Sequence, residues 1–143
     1  MKILFITRSM PVHATGGMEQ HAKALIDYLA ELNKITVITT FHPGNISEEK
    51  EGNICTFYLK NTRPGKYYGG WKKAVVSFLS DHLNKEKYDV LISESVSAYP
   101  YYTLPRRGET LPCIAFIHGT VAKEIKTIFR KKITLKKMKE QLI

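Results

Sequence analysis

The sequence contains no long hydrophobic run. None of the apolar stretches in its 143 residues approaches the roughly 20 residues that a membrane-spanning helix needs. The apolar stretch Ile3–Ile6 is followed at once by Thr7 and Arg8, so it is too short for the core of a signal peptide. We therefore expect a cytoplasmic protein.

Cysteine is also scarce, because the chain has only Cys55 and Cys113. We expect the two in separate strands of one sheet, several spacings of about 4.8 Å apart, whereas a disulfide needs Cα atoms within about 7 Å. Buried free thiols are the expected state, and they suit the cytoplasm. No spaced Cys/His set is present, so we expect no metal site.

Two nucleotide-binding motifs are missing. The first strand is not followed by Gly-x-Gly-x-x-Gly, and no acidic residue after the second strand could hold a ribose. No P-loop lysine follows the paired glycines Gly16 and Gly17. These absences argue against a nicotinamide or flavin site, and we expect no cofactor.

Acidic residues are outnumbered, with 13 Asp and Glu against 22 Lys and Arg and a net charge of +9. Such a charge favours anionic partners, namely nucleic acid, acidic lipid or phosphorylated substrates. One basic cluster lies near the C-terminus: Lys126, Arg130, Lys131, Lys132, Lys136, Lys137 and Lys139. The other surrounds Tyr67, Tyr68 and Trp71: Lys60, Arg63, Lys66, Lys72 and Lys73.

The second cluster has two interpretations. Aromatic rings beside lysines suit a membrane surface, where both meet lipid headgroups. The simpler interpretation buries Trp71 against the sheet and leaves the lysines solvated. No nucleic-acid recognition module is visible, so we expect no nucleic-acid partner.

The order of apolar segments predicts the fold. A strand (2–7), a loop ending in Gly16 and Gly17, a helix (17–32) and a second strand (35–40) open the chain. Further strands are expected at 54–59, 89–93 and 113–117, and further helices at 71–84 and 120–129. Residues 45–53 read as a charged loop, and 95–104 as either a loop or a short helix with Pro100 in its first turn. The alternation predicts an α/β fold with a doubly wound parallel sheet in the order 3-2-1-4-5.

Ligands of such sheets bind beyond the carboxyl ends of the strands, where the strand order reverses. His118 follows the last predicted strand directly, and Gly16 and Gly17 lie in the loop after the first. The paired glycines would let the backbone come close to a ligand at a helix N-terminus, or would only serve a tight turn. His118 would bond a sugar hydroxyl or a phosphate, or only a neighbouring carbonyl. Weaker candidates are Glu94, Arg8, His13 and His21.

In order along the chain, several segments resemble the N-terminal part of family-four glycosyltransferases of GT-B architecture: Met1–Thr7, Gly16–Glu19, His21, Leu25, Leu29, Lys34–Thr39, Tyr88–Leu91 and Phe116–Gly119. The resemblance implies a Rossmann-like domain, the first half of a GT-B fold. It also implies that residues 1–143 are a truncated acceptor-side domain and that the catalytic C-terminal domain is absent. The isolated chain is then expected to be inactive.

The resemblance further implies a retaining transfer of sugar from a nucleotide-sugar donor to a glycan, lipid or small-molecule acceptor. His118 would contact the transferring sugar as the catalytic residue, and Gly16, Gly17, Glu94 and Gly119 would bind substrate. The chain departs from the family's pattern at Ser93-Glu94-Ser95, where a histidine pair is common. That departure leaves the role of Glu94 open.

Two alternatives remain open from the residues. The chain could be a non-catalytic module that binds membranes or polyanions through its basic clusters, including peripheral contact with the inner face of an acidic membrane. It could instead be half of a nucleotide-sugar epimerase of similar layout. The donor sugar, the acceptor and the oligomeric state are not predicted.

Overall fold

The computed structural model describes residues 1–68, 70–105 and 110–118. The elements in chain order are β1 (Lys2–Ile6), α1 (Gly17–Ala30), β2 (Lys34–Thr40), β3 (Glu48–Glu51), β4 (Ile54–Leu59), α2 (Trp71–Lys85), β5 (Val90–Glu94), a 3-10 helix (Tyr99–Thr103) and β6 (Cys113–Phe116). Gly119 and the helix expected over 120–129 lie outside the described residues.

Within the described residues, six strands form one sheet in the order β3-β4-β2-β1-β5-β6. All neighbouring strands are parallel except β3 and β4. Without β3, this is the predicted order 3-2-1-4-5, so the doubly wound parallel sheet is confirmed. The order reverses between β1 and β5, which puts the loops after these strands side by side at one edge.

The extra strand β3 corrects the expectation of a loop over 45–53. Its four residues pair antiparallel with β4 through a two-residue turn at Gly52 and Asn53, and Gly52 has φ of +54°. A two-residue turn with a glycine at positive φ is a frequent hairpin signal. All four β3 side chains are exposed, so the strand has no apolar alternation by which the sequence could reveal it.

The sheet is covered by helices on both faces, which explains why its central strands are apolar on both sides. The core under α1 consists of Ile3, Phe5, Met10, Ala22, Ile26, Ile35, Val37 and Ile92. The core under α2 consists of Leu4, Ile6, Ile38, Leu59, Trp71, Val75, Leu79, Leu91 and Ala98. The elements that carry the site are therefore fixed from both sides.

The ambiguous stretch 95–104 contains a 3-10 helix, Tyr99–Thr103, with Pro100 in its first turn. Proline is tolerated there because the first turn of a helix has N–H groups without intrahelical partners. Among the described residues, no helix combines the length and the apolar character needed to cross a bilayer.

The cysteines lie far apart, as expected, since β4 and β6 have three strands between them. The expectation that both are buried is wrong, because Cys55 is half-buried and Cys113 is exposed. The reason is positional. Cys113 begins β6, the last strand of the described sheet, where the neighbouring residues Ile114 and Ala115 are exposed as well.

Candidate active site at the carboxyl edge of the sheet

The central feature of this edge is the side chain of Glu94, at the end of β5. It is 0% exposed, although it is a carboxylate. Its Oε1 lies 2.7 Å from Nδ1 of His21, and its Oε2 is in hydrogen-bond contact with Nε2 of His118. A buried carboxylate needs such donors, because without them its desolvation would cost several kcal/mol.

Three elements bring this cluster together. Glu94 pairs with Phe116 in the register of β5 and β6, so His118 follows β6 just beyond the end of β5. His21 approaches from α1, which covers the same face of the sheet as Phe116. The rings of His21 and His118 lie edge to face with centroids 4.8 Å apart. We name this group of His21, Glu94 and His118 the imidazole–carboxylate cluster.

The end of β5 is held by a tight local turn. Ser95 has φ of +55°, and its backbone N–H donates to the carbonyl of Phe116 at 2.8 Å. The hydroxyl of Ser93 donates to the carbonyl of Ser95 and accepts from the N–H of Ala98. These bonds fix the backbone on both sides of Glu94, so its carboxylate has a defined place.

Within the part of the chain that the structure describes, each imidazole of the cluster has one nitrogen bonded to Glu94 and the other without a hydrogen-bond partner. A carboxylate only accepts hydrogen bonds, so the nitrogens that face Glu94 carry protons. The remaining nitrogens are Nε2 of His21 and Nδ1 of His118, and the two side chains are 39% and 34% exposed. The cluster can therefore offer ring nitrogens of fixed orientation to a ligand at the sheet edge.

The glycine pair lies at the start of the helix that carries His21. Gly16 has φ of −150° and Gly17 is the first residue of α1, and neither has a positive φ. A turn that only glycine could adopt is therefore not the reason for the pair. A Cβ on Gly17 would meet nothing within 4 Å, so the helix N-terminus is open at this point. Among the described residues no side chain caps its N–H groups, although the carboxylate of Glu19 in the first turn lies 2.5 Å from the position of a Gly16 Cβ.

The imidazole–carboxylate cluster also has the composition of a metal site, since its ligand atoms lie within 4.8 Å of one another. Two ligands of one tetrahedral zinc ion, each about 2.0 Å from it, would lie roughly 3.3 Å apart. The 2.7 Å between His21 and Glu94 is shorter and is a hydrogen-bond distance. The geometry favours shared protons over a bound ion.

Arg8, just beyond β1, lies in the adjacent loop. Its guanidinium carbon is 4.3 Å from the centre of the Tyr67 ring, a cation–π arrangement. Its backbone N–H donates to Ser97 Oγ at 3.2 Å, which ties the end of β1 to the loop after β5. Its Nε is buried and has no hydrogen-bond partner among the described residues.

His13 has a structural role instead. Its Nδ1 accepts from the N–H of Met10 at 2.9 Å, and its Nε2 contacts the carbonyl of Phe41 at 3.1 Å. Burial lowers the pKa of His13, and nearby His42 lowers it further. This neutral imidazole is occupied on both sides and holds the long loop before α1 in place.

The aromatic residues of the second basic cluster, Tyr67, Tyr68 and Trp71, differ in their exposure. Trp71 is fully buried and donates from Nε1 to the carbonyl of Ser97 at 3.1 Å, as the simpler interpretation expects. Tyr68 is 61% exposed. Together with Tyr67, Lys72 and Lys73 it lines an open groove of about 570 Å³ at the start of α2.

Sequence reasoning placed His118, Glu94 and the glycine pair at one edge of the sheet, and all of them lie there in the structure. Gly119, the remaining candidate, lies outside the described residues. It did not identify the bond of His21 to Glu94. His21 lies four residues after Gly17. That spacing puts it one helical turn, or about 6 Å, from the open N-terminus. This spacing was the feature of the sequence that could have placed His21 at the site.

The imidazole–carboxylate cluster thus lies beyond the carboxyl ends of the strands, where doubly wound sheets bind their ligands. A comparison with known protein families matches residues 15–140 to Glycosyltransferase Family 4. The chain belongs to this family, so the resemblance found in its sequence is confirmed.

Two solved structures carrying the name sucrose-phosphate synthase, both from Thermosynechococcus elongatus, are similar in fold. The first is 16% identical with a TM-score of 0.64, and the match covers 82% of this chain and 33% of that one. The second is 15% identical with a TM-score of 0.60, and the match covers 83% of this chain and 64% of that one. The chain thus spans a third and somewhat less than two thirds of their lengths. No curated protein sequence matches the chain significantly.

Proposed function

We propose that this domain is the acceptor-side, N-terminal half of a retaining glycosyltransferase that moves a sugar from a nucleotide-sugar donor to an acceptor. The proposal depends chiefly on the imidazole–carboxylate cluster at the carboxyl edge of the sheet, where Glu94 is fully buried and bonded to His118. Membership in Glycosyltransferase Family 4 supports the reaction class. The acceptor, a glycan, a lipid or a small molecule, binds on this edge.

His118 holds the transferring sugar. Because Nε2 of His118 faces the carboxylate, Nδ1 is left with a lone pair and accepts a hydrogen bond from a sugar hydroxyl. Glu94 fixes both the tautomer and the ring orientation, and it acts as a positioning residue because a side chain 0% exposed does not reach substrate. Orientation of this kind lowers the entropic part of the activation barrier.

Gly16 and Gly17 let an oxyanion of the substrate approach the N-terminus of α1. The open space at the position of a Gly17 Cβ supports this, as does the uncapped start of the helix. Gly119, the next residue in the sequence after His118, also binds substrate. No residue of the described part is assigned as a general base.

The leaving nucleoside diphosphate is bound by a second domain outside this chain. That domain supplies the groups that stabilise the charge of the leaving group. The isolated chain therefore does not transfer sugar. The reaction takes place in the cytoplasm, and the nucleotide sugar reaches the carboxyl edge of the sheet from there.

The test uses the full-length protein and a panel of nucleotide sugars and acceptors. His118→Ala is expected to lower kcat/KM by roughly 100-fold or more, because it removes a preorganised contact. His42→Ala, which removes an imidazole from the loop after β2, is the matched control and should leave the rate unchanged. A wild-type rate in His118→Ala would remove the residue from the site. Turnover by the 143-residue chain alone would refute its inactivity.

The stereochemistry of the product tests the remaining parts of the proposal. NMR of the glycoside should show the anomeric configuration of the donor. Inversion would contradict a retaining transferase. An isomerised nucleotide sugar formed without any acceptor product would favour the epimerase alternative.

A second function, peripheral contact with an acidic membrane, is favoured by one observation. The exposed ring of Tyr68 and the lysines Lys72 and Lys73 line the same open groove. Flotation with vesicles of acidic or neutral lipid should show binding to the acidic vesicles only. The double variant Lys72→Gln/Lys73→Gln should lose it, whereas Lys87→Gln, at the other edge of the sheet, should not.

A further inference from the structure

We propose that Arg8 is the binding group for a phosphate ester of the substrate, at a subsite on the α2 side of the carboxyl edge, where its guanidinium lies over Tyr67. This inference rests on the proposed function, because it specifies the chemistry of a substrate of the same edge. It starts from a cation that the described part of the fold holds in place but does not neutralise.

The first argument is electrostatic. Arg8 is only partly exposed and its Nε is buried, yet none of the described ion pairs includes it. A guanidinium retains its charge at all physiological pH values, and a desolvated donor without a partner is unfavourable. An anionic ligand at Arg8 would remove this cost and would gain charge-assisted hydrogen bonds.

The second argument is the way in which Arg8 is held. Its backbone carbonyl accepts from Thr40 Oγ1 at 2.8 Å and from the N–H of Gly65 at 3.1 Å, and its own N–H donates to Ser97. The guanidinium lies over the ring of Tyr67. A fork that is held on a ring loses little entropy when it binds a planar or tetrahedral oxyanion, so it is prepared for a bidentate contact.

The third argument is location. Arg8 follows β1 and Glu94 ends β5, and these neighbouring strands meet where the sheet order reverses. The ring of Tyr67 also lines the groove that contains Lys72 and Lys73. The long-range field on this side is therefore positive, which attracts phosphorylated ligands.

The residue next to Arg8 also has an unpartnered polar atom. Ser9 is 1% exposed, and its Oγ has no partner among the described residues. A buried hydroxyl usually has a hydrogen bond, so this atom is a second unfilled position at the end of the same strand. Because this hydroxyl is nearly as buried as Glu94, it does not contact a ligand directly, and the subsite depends on the Arg8 cation.

The test measures binding without catalysis. Trp71 is the only tryptophan in the chain, and Ser97 is bonded to both Trp71 and Arg8, so its fluorescence reports on this region. Inorganic phosphate, glucose 6-phosphate against glucose, and UDP against uridine are titrated into the chain, with calorimetry as a second readout. We expect millimolar binding of phosphate, and tighter binding of at least one phosphorylated compound than of its unphosphorylated partner.

Arg8→Met keeps the contact with Tyr67 but removes the charge, and it should weaken phosphate binding about 10-fold, which is 1.4 kcal/mol. Lys87→Gln removes an equal charge at the opposite edge of the sheet and should change the affinity less than twofold. If Arg8→Met does not fold, Arg8→Lys keeps the charge without the fork and should lose several-fold in affinity.

The two phosphorylated compounds identify the source of the anion. An Arg8-dependent preference for glucose 6-phosphate assigns the subsite to a phosphorylated acceptor, and one for UDP assigns it to the donor. Equal effects of Arg8→Met and Lys87→Gln, or equal binding of every phosphorylated compound and its partner, would overturn the proposal. Sugar transfer by the full-length protein does not enter this measurement, so the transferase can fail or stand independently of it.

Discussion

Nδ1 of His13 accepts a hydrogen bond from the backbone N–H of Met10, three residues earlier in the chain, at 2.9 Å. The contact requires an unprotonated Nδ1, and burial accordingly lowers the pKa of His13 from 6.5. The unfolded chain then binds more protons than the folded one as the pH falls, so the free energy of unfolding decreases with falling pH. The decrease begins near 6.5 and continues until the folded imidazole is protonated.

We predict that His13→Gln flattens this dependence. The wild-type chain should lose about 1 kcal/mol of stability from His13 between pH 7 and pH 5, because protonation breaks one partly buried bond. Urea unfolding at several pH values measures this. His82, whose pKa burial also lowers, is present in both chains and leaves a residual slope. Identical slopes in the two chains would contradict the role given to His13.

Glu94→Ala should be among the more destabilising substitutions in this domain. It leaves a cavity under α1 and removes the acceptor of both His21 and His118, so we expect a loss of about 2–3 kcal/mol. Urea unfolding at pH 7 gives the value. Glu31→Ala removes an equal charge from an exposed position at the end of α1 and should cost less than about 0.5 kcal/mol. Similar costs for the two would show that the buried bonds contribute little.

Gly17→Ala should separate binding from stability. The methyl group has open space and the backbone has no positive φ, so the free energy of unfolding should be unchanged or should rise by up to about 1 kcal/mol. The same methyl lies where the proposed ligand approaches. Sugar transfer by the full-length protein should therefore fall about 10-fold or more. Gln20→Ala, on an exposed position of the same helix, is the control. An unchanged rate would mean that no ligand comes close to Gly17.

Gly70→Ala should disrupt the start of α2. Gly70 has φ of +99°, and an added Cβ would overlap the backbone oxygen of Asn61. Because backbone atoms cannot move away cheaply, we expect a loss of about 3 kcal/mol or more by thermal or urea unfolding. Gly52 also has a positive φ, +54°, but a Cβ added there would meet nothing within 4 Å. Gly52→Ala should therefore lower the free energy of unfolding by only about 1 kcal/mol. Equal losses would assign the effect to φ alone.

The elements with strong apolar patterns were predictable from the sequence. The strand Ile54–Leu59 has the expected bounds, and α1 and α2 begin at the expected residues Gly17 and Trp71. The apolar residues of the helices recur at the helical period because one face of each helix packs on the sheet. Those of the strand are nearly continuous because both faces of the sheet are buried. The strand β3 has no such pattern, since its four residues are charged and exposed.

The candidate site was predictable in position but not in its contacts. A residue at the end of a parallel strand must lie at the carboxyl edge, so His118 and Glu94 could be placed together. Which side chains meet depends on how α1 packs on the sheet, which brings His21 against Phe116, and on the turn at Ser95, whose φ is +55°. These contacts depend on the tertiary structure, and the residue patterns of one sequence do not reveal them. The bond between His21 and Glu94 is the result.

The short strand β3 also affects whether another sheet can pair with this one at its border. Within the described sheet it forms one border, with Glu48, Glu49, Lys50 and Glu51 all exposed over a length of only four residues. A second sheet that tried to add a strand there would have to bring its own backbone against this row of charges, and a short, charged edge offers it little to pair with. At this border the fold therefore resists the open-ended strand addition that leads to fibres.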